Sequence, residues 1–438
     1  MMIKIKNLAL FALALAATSI SGQEQRTLTL DEAVRLGIQN SKNLKIDAAK
    51  IQEAAAHVLE AENRRLPSLK VSGSALALAN ADVSLKIMPP SENGNSTPKA
   101  NSAFFGNVAA SLPLFSGGRI KYGIESAQYL MEAAKLSAEN DRSAIAYNIS
   151  QAYNNLFKAH QAIRVLEENL TASAKRDESF LRLENNGVIA RNDRLKANLQ
   201  TSNIELQLLE ARNDYTIAMI NMDLLLGLPE NTQIEADPDY AAEVSENAPL
   251  AYYLDAAGAN RKDLQALDYQ QKAAALGIKS ARAESLPTVA LTGGYVAADV
   301  PGILTVMNAA NIGVSIQYNI DNLWKKNASL MEAQARAQQL SATGEMMNDQ
   351  IKLEVNRDYQ NADYARRRIA VFEKAASQAN ENYRVTKNKF DNGLASITEL
   401  LDADAAQISA NVSVLNARAD AALANRKLRQ TAGILSFN

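Results

Sequence analysis

The 438-residue chain contains no cysteine, two histidines and one tryptophan. Without Cys there is no disulfide framework and no Cys/His zinc site. His57 and His160 have no ligand cluster near them in sequence, so both read as surface or packing residues and no metal is expected. Net charge is only −2, which leaves no basic footprint for nucleic acid. No Gly-x4-Gly-Lys-Ser/Thr phosphate loop occurs, and Ser116-Gly117-Gly118 lacks a dinucleotide-binding context. No catalytic residue and no cofactor is therefore assigned. Aromatics are 5% of the chain although hydrophobic residues are 47%, and Ala is the commonest residue of all. The core must be built from small side chains, which is unusual for a compact enzyme.

Continuous apolar runs long enough for a membrane helix are also missing. The longest apolar stretch, Leu8 to Ala17, follows Lys4 and Lys6 and precedes small residues. It reads as a secretory signal peptide over 1–22. No Cys follows it, so no lipid anchor is expected. An exported chain of this kind either stays soluble or enters a membrane as strands.

What the chain has is a repeat. Asn40, Lys42, Leu44, Leu66-Pro67 and Gly73 recur at one constant offset as Asn260, Lys262, Leu264, Leu286-Pro287 and Gly293. Asn186-Gly187 recurs at a shorter offset as Asn392-Gly393. The difference is extra sequence in the first copy, and it falls in the polar loop around KIMPPSENGNSTPKAN. The copies span 23–227 and 260–438, joined by the acidic connection 228–259. Each reads as a helix (about 31–63 and 261–284), two strands, a very long helix, a Gly turn and a shorter helix.

The long helices carry a heptad seam: Val355, Ala362, Ala365, Ile369, Phe372, Ala376, Ala379, Tyr383 and Phe390 in the second copy, and Ile149, Leu156, Ala159, Ile163, Leu166 and Leu170 in the first. Steps of three and four indicate coiled-coil packing, and Ala lets helices approach closely. A helix of about 65 residues would be ~95 Å long. The two shorter helices placed end to end would match it, which suggests a tall tube or bundle. The strands alternate strictly, as in Ile312, Val314, Ile316, Tyr318 and Ile320, or Val289, Leu291, Gly293 and Tyr295. A period of two fits membrane-barrel strands or a soluble one-sided sheet. Four strands cannot close a barrel, so a membrane placement requires chains to pool them.

This order of elements, with LTLDEAVRLGIQNS at 28–41, two Leu-Pro strand starts, LPLFSGGR at 112–119 and the two Gly turns, resembles the TolC outer-membrane efflux family over nearly the whole chain after the leader. The resemblance implies a mostly α chain with a small β part. Three copies would form one outer-membrane β-barrel, four strands each, continued by a coiled-coil α-barrel. It further implies a Gram-negative outer-membrane duct reaching into the periplasm. That duct would pass small toxic molecules or drugs received from a periplasmic adaptor and an inner-membrane transporter. Type I protein secretion and a soluble periplasmic coiled-coil scaffold are the alternative functions. Matched to the family, Glu399 and Asp402 lie where acidic side chains narrow the pore, three residues apart and so on one helix face. Crowded carboxylates of three chains would raise one another's pKa. The family's locking Tyr and Arg are replaced by Phe390 and Ala395, while their partner position holds Asp193. The gate would then rest on packing of Phe390 or on pairs made by Arg191 or Arg194. Gly187, Val188, Gly393 and Leu394 are the implied adaptor-docking tips, although a Gly at a helix end also explains itself as a turn.

Overall fold

The computed structural model describes residues 26–82, 99–230, 232–242 and 246–436. The leader and residues 83–98 of the polar loop lie outside them. The elements follow the repeat. Strand β1 (Arg26–Leu28) precedes helices α1 (Leu30–Asn40) and α2 (Lys42–Asn63), strands β2 (Ser68–Asp82) and β3 (Lys99–Phe115), and helices α3 (Arg119–Asn185) and α4 (Arg191–Leu226). The second copy has β4 (Ile234–Ala236), α5 (Leu250–Asn260), α6 (Lys262–Ala283), β5 (Thr288–Val300), β6 (Leu304–Gln317), α7 (Ala328–Asp391) and α8 (Ile397–Thr431). Helices α1 and α5 have 11 residues each, and α2 and α6 have 22 each. The long helices α3 and α7 have 67 and 64 residues, or ~100 and ~96 Å.

Two details depart from the sequence reading. The first helix of each copy is two helices. In the first copy Asn40 Nδ2 turns away to donate to the Leu226 carbonyl at 2.7 Å, and the Ser41 hydroxyl accepts from the Leu44 amide to start α2. In the second copy α5 occupies the end of the stretch read as a connection. The opening of α1 follows its sequence: Thr29 and Glu32 form a reciprocal capping box.

The chain divides into two compact units that cut across the repeats. The first comprises the chain up to Asp47, Ser137–Leu264 and Met347 onward. Its largest core cluster includes Leu28, Ile149, Tyr153, Leu156, Met222, Leu226 and Ile234. There β1 pairs in parallel with β4. The Tyr153 hydroxyl joins them, donating to the Leu28 carbonyl and accepting from the Asp237 amide, both at 2.7 Å. Close packing fixes Gly37: a Cβ there would lie 2.4 Å from Ile149 Cδ1. The heptad seams are inward. Ile149, Leu156, Leu166, Val355, Ala362 and Ala376 are buried and the remaining seam positions of both long helices half-buried.

The second unit comprises Ala48–Leu136 and Gln265–Met346. It holds an antiparallel sheet in the order β2-β3-β5-β6. Pairing brings the apolar alternates into rows across all four strands. Leu69, Ala110, Gly293 and Ile312 form one row, and Val71, Val108, Tyr295 and Ala310 the next. The other face carries rows such as Ser72, Asn107, Val296 and Ala309, or Ser111, Thr292 and Gly313. Strand β6 stops at Gln317, opposite Thr288, because its partner β5 begins there, just after Pro287. Tyr318, read as strand, therefore falls in the irregular link after β6, and Ile320 opens a single 3-10 turn. No helix among the described residues is long and apolar enough to cross a membrane.

Candidate functional site: the paired helix turns

Both Gly turns belong to the first unit and share one hydrophobic cluster. Phe180, Leu183, Ile189 and Ala197 of the first copy pack with Tyr383, Phe390, Ile397, Leu400 and Leu401 of the second. Each long helix ends in the same way. Gly187 and Gly393 adopt φ of +70° and +71°. The amides of Val188 and Leu394 reach back to the carbonyls of Leu183 and Lys389, and the glycine amides bond the Glu184 and Phe390 carbonyls. These are Schellman ends, for which glycine is the least strained residue. Val188 and Leu394 follow and are 66% and 77% exposed, so the turns present two apolar tips to solvent.

The expected gate residues separate into two groups. Phe390 is inward: its ring lies 5.4 Å from that of Phe180, tilted by 57°. Asp193 is half-buried and 3.3 Å from Lys196, whose ammonium also reaches the Thr398 hydroxyl at 3.4 Å. Arg194 pairs with Glu184. Glu399 and Asp402 are both exposed, on the same side of α8. Glu399 also completes a capping box with Ser396, whose amide and hydroxyl hydrogen-bond its carboxylate at 2.7 and 2.9 Å. These bonds hold its pKa below the usual glutamate range. Within one protomer the direction is thus opposite to that expected from a crowd of carboxylates.

Sequence reading missed two contributors. Phe180 is 2% exposed and anchors the cluster. Stepping the first-copy seam past Leu170 by three and four, through Ser173 and Asp177, would have reached it. Arg176 donates to Asp404 at 2.8 Å, and Asp404 is 3% exposed. This cross-copy ion pair has no counterpart at the repeat-matched positions, where Asn382 and Asn198 stand. Among the described residues no cluster of metal-ligand side chains occurs.

The second unit thus holds a sheet that carries apolar rows on one face, and the chain has two helices of more than sixty residues. The chain belongs to the outer membrane efflux protein family, whose model matches residues 33–228 and 253–434. It is similar to the outer membrane efflux protein BepC of Brucella suis, with 22% identity over 435 residues, 98% of this chain and 90% of that protein. It is also similar to the cation efflux system protein CusC of Escherichia coli, with 24% identity over 341 residues, 74% of this chain and 69% of CusC. In fold it matches the outer membrane protein VceC of Vibrio cholerae, with a TM-score of 0.74 and 19% identity over 92% of this chain and 96% of that one. The family resemblance seen in the sequence is borne out.

Proposed function

We propose that this chain is the passive outer-membrane duct of a tripartite export pump, working as a homotrimer that conducts small toxic molecules or drugs to the exterior. The observation that carries this reading is the sheet. Its apolar rows run in register across all four strands, and among the described residues β2 and β6 each leave one edge unpaired. A barrel in lipid tolerates no open edge and needs at least eight strands. Three copies supply twelve. The leader 1–22 directs export and is removed. In this reading the repeats 23–227 and 260–438 are joined by 228–259, and their Gly turns face the periplasm. There Gly187, Val188, Gly393 and Leu394 dock a periplasmic adaptor, which links the duct to an inner-membrane transporter. This chain supplies passage, and energy comes from those partners.

At the same end Glu399 and Asp402 of three copies form an acidic ring that favours cations, with Asp193 beside it and Phe390 packing the closed gate. Within the chain, the Ser396 amide and hydroxyl favour the charged form of the Glu399 carboxylate. The test is ion selectivity of the purified trimer in planar bilayers. Glu399→Ala/Asp402→Ala is expected to lower the cation preference and weaken block by divalent cations. Unchanged selectivity and block would remove the ring from this account.

A further inference from the structure

A cavity of about 640 Å³ opens in the second unit at the foot of the sheet's apolar face, where strands give way to helices. Its walls include Arg65, Leu114, Phe115, Ile120, Lys121 and Glu125. The Ser116-Gly117-Gly118 motif shapes it. Gly117 and Gly118 adopt φ of +61° and +88°, and a Cβ on Gly117 would lie 2.9 Å from Leu286 Cδ1. The two glycines turn β3 straight into α3, and the Arg119 amide donates to the Ser116 carbonyl at 3.0 Å. The first turns of α3 therefore start beside the last apolar row of the sheet, formed by Phe115, Val289 and Ile316. Phe115 and Ile316 are 49% and 70% exposed.

The walls are of two kinds. Leu114, Phe115 and Ile120 are apolar, and the first two are exposed. Arg65 and Lys121 are cationic and exposed. Arg65 makes no ion pair among the described residues. Lys121 meets Glu125 only at 3.8 Å, and its side chain is 75% exposed. Charges nearby reinforce the sign. Arg119, at the start of α3, and Lys326, just before α7, also make no ion pair among the described residues. Glu60 and Asp321 are taken by Arg64 at 3.0 Å and Lys325 at 2.7 Å. The hairpin at the other end of the sheet, residues 299–305, has Asp299 and no Lys or Arg.

We propose that this cavity seats an anionic phospholipid of the leaflet on the helix side of the sheet. Arg65 and Lys121 hold the phosphate-bearing headgroup, a role for which guanidinium and ammonium groups are suited. Leu114, Phe115 and Ile120 take the start of an acyl chain. The proposal rests on the membrane reading of the sheet given above. A lipid fits better than free phosphate because cationic and apolar walls adjoin, and free phosphate gains nothing from Leu114 and Phe115. An anionic headgroup fits better than a zwitterionic one because two cations stand against the single Glu125, so a headgroup ammonium would meet like charge. A lipid held here fixes the headgroup plane at the level of Phe115, and so the depth of the sheet in the bilayer.

The test titrates the purified full chain in detergent with dioleoylphosphatidylglycerol, dioleoylphosphatidylcholine or inorganic phosphate, and counts bound lipid by native mass spectrometry. Phosphatidylglycerol is expected to bind more tightly than phosphatidylcholine and to stay bound in excess phosphate. Arg65→Gln/Lys121→Gln should erode that preference by about fivefold for each basic residue removed. Arg65→Lys/Lys121→Arg keeps both charges and should retain most of it. Leu114→Ser should weaken both lipids and leave their ratio nearly unchanged. In the unmodified chain the preference should shrink as salt is raised. A preference that survives Arg65→Gln/Lys121→Gln or is independent of salt overturns the site, as does equal binding of the two lipids. Displacement of phosphatidylglycerol by inorganic phosphate would overturn the lipid in favour of a small anion. A chain recovered in the soluble fraction of cells, with no lipid bound, would instead overturn the membrane reading beneath it.

Discussion

Asp223 shows what one side chain can do against its surroundings. It is fully buried on α4, and neither carboxylate oxygen has a donor in hydrogen-bond geometry. Burial pushes its pKa up to about 6, opposed only in part by the Thr232 amide. That lies above the ~3.9 of an unfolded aspartate, so its ionisation opposes folding. The cost is full above about pH 6 and disappears as the pH falls below ~3.9. Asp223→Asn should therefore raise the thermal midpoint at pH 8, with the gain vanishing below pH 4. The glycines make a second residue-scale contrast. Gly187→Ala meets open space, so only the positive φ is penalised, about 1 kcal/mol. Gly227→Ala places a Cβ 2.8 Å from that of Asn40 and should cost more in denaturant unfolding.

At the scale of elements, the tip is held by packing and one buried ion pair. Phe180→Ala removes the largest buried side chain of the cluster, and a loss of ~3 kcal/mol is expected from large-to-small core changes. Arg176→Ala leaves Asp404 buried without its cation, for which ~3–5 kcal/mol is typical. Arg176→Met/Asp404→Leu should recover much of this in denaturant titrations, because no charge is then stranded. These contacts also mark the limit of sequence reading. Helices α3 and α7, both Gly turns and all four sheet strands were legible, because heptad spacing, Gly at helix ends and strict alternation each follow from local geometry. Partner choice across the copies was not. Nothing near Arg176 in sequence points to Asp404, whereas the Ser396–Glu399 box is local and its Ser-x-x-Glu spacing stands in the sequence. The break at Ser41 was hidden for a similar reason: the Asn40 side chain beside it bonds a carbonyl 186 residues away.

The element order repeats in two copies, and the copies differ at the tip cluster they share. The sheet's apolar face should tolerate no charge in lipid. Val71→Arg is expected to cost ~2–4 kcal/mol if it sits near the bilayer midplane, with loss of trimer from the membrane fraction as the readout. The polar-face Ser72→Arg should leave assembly intact. The helix starts after the two Gly turns have diverged too. Helix α8 opens on the Ser396–Glu399 box, whereas α4 opens on Ala190, which offers no side-chain cap. A capped end and a bare end do not fray alike. Amide hydrogens at Arg191–Asp193 should exchange with solvent faster than those at Ile397–Glu399. Any loosening that starts from this end will then begin in the first copy, giving one chain an early-opening and a late-opening half.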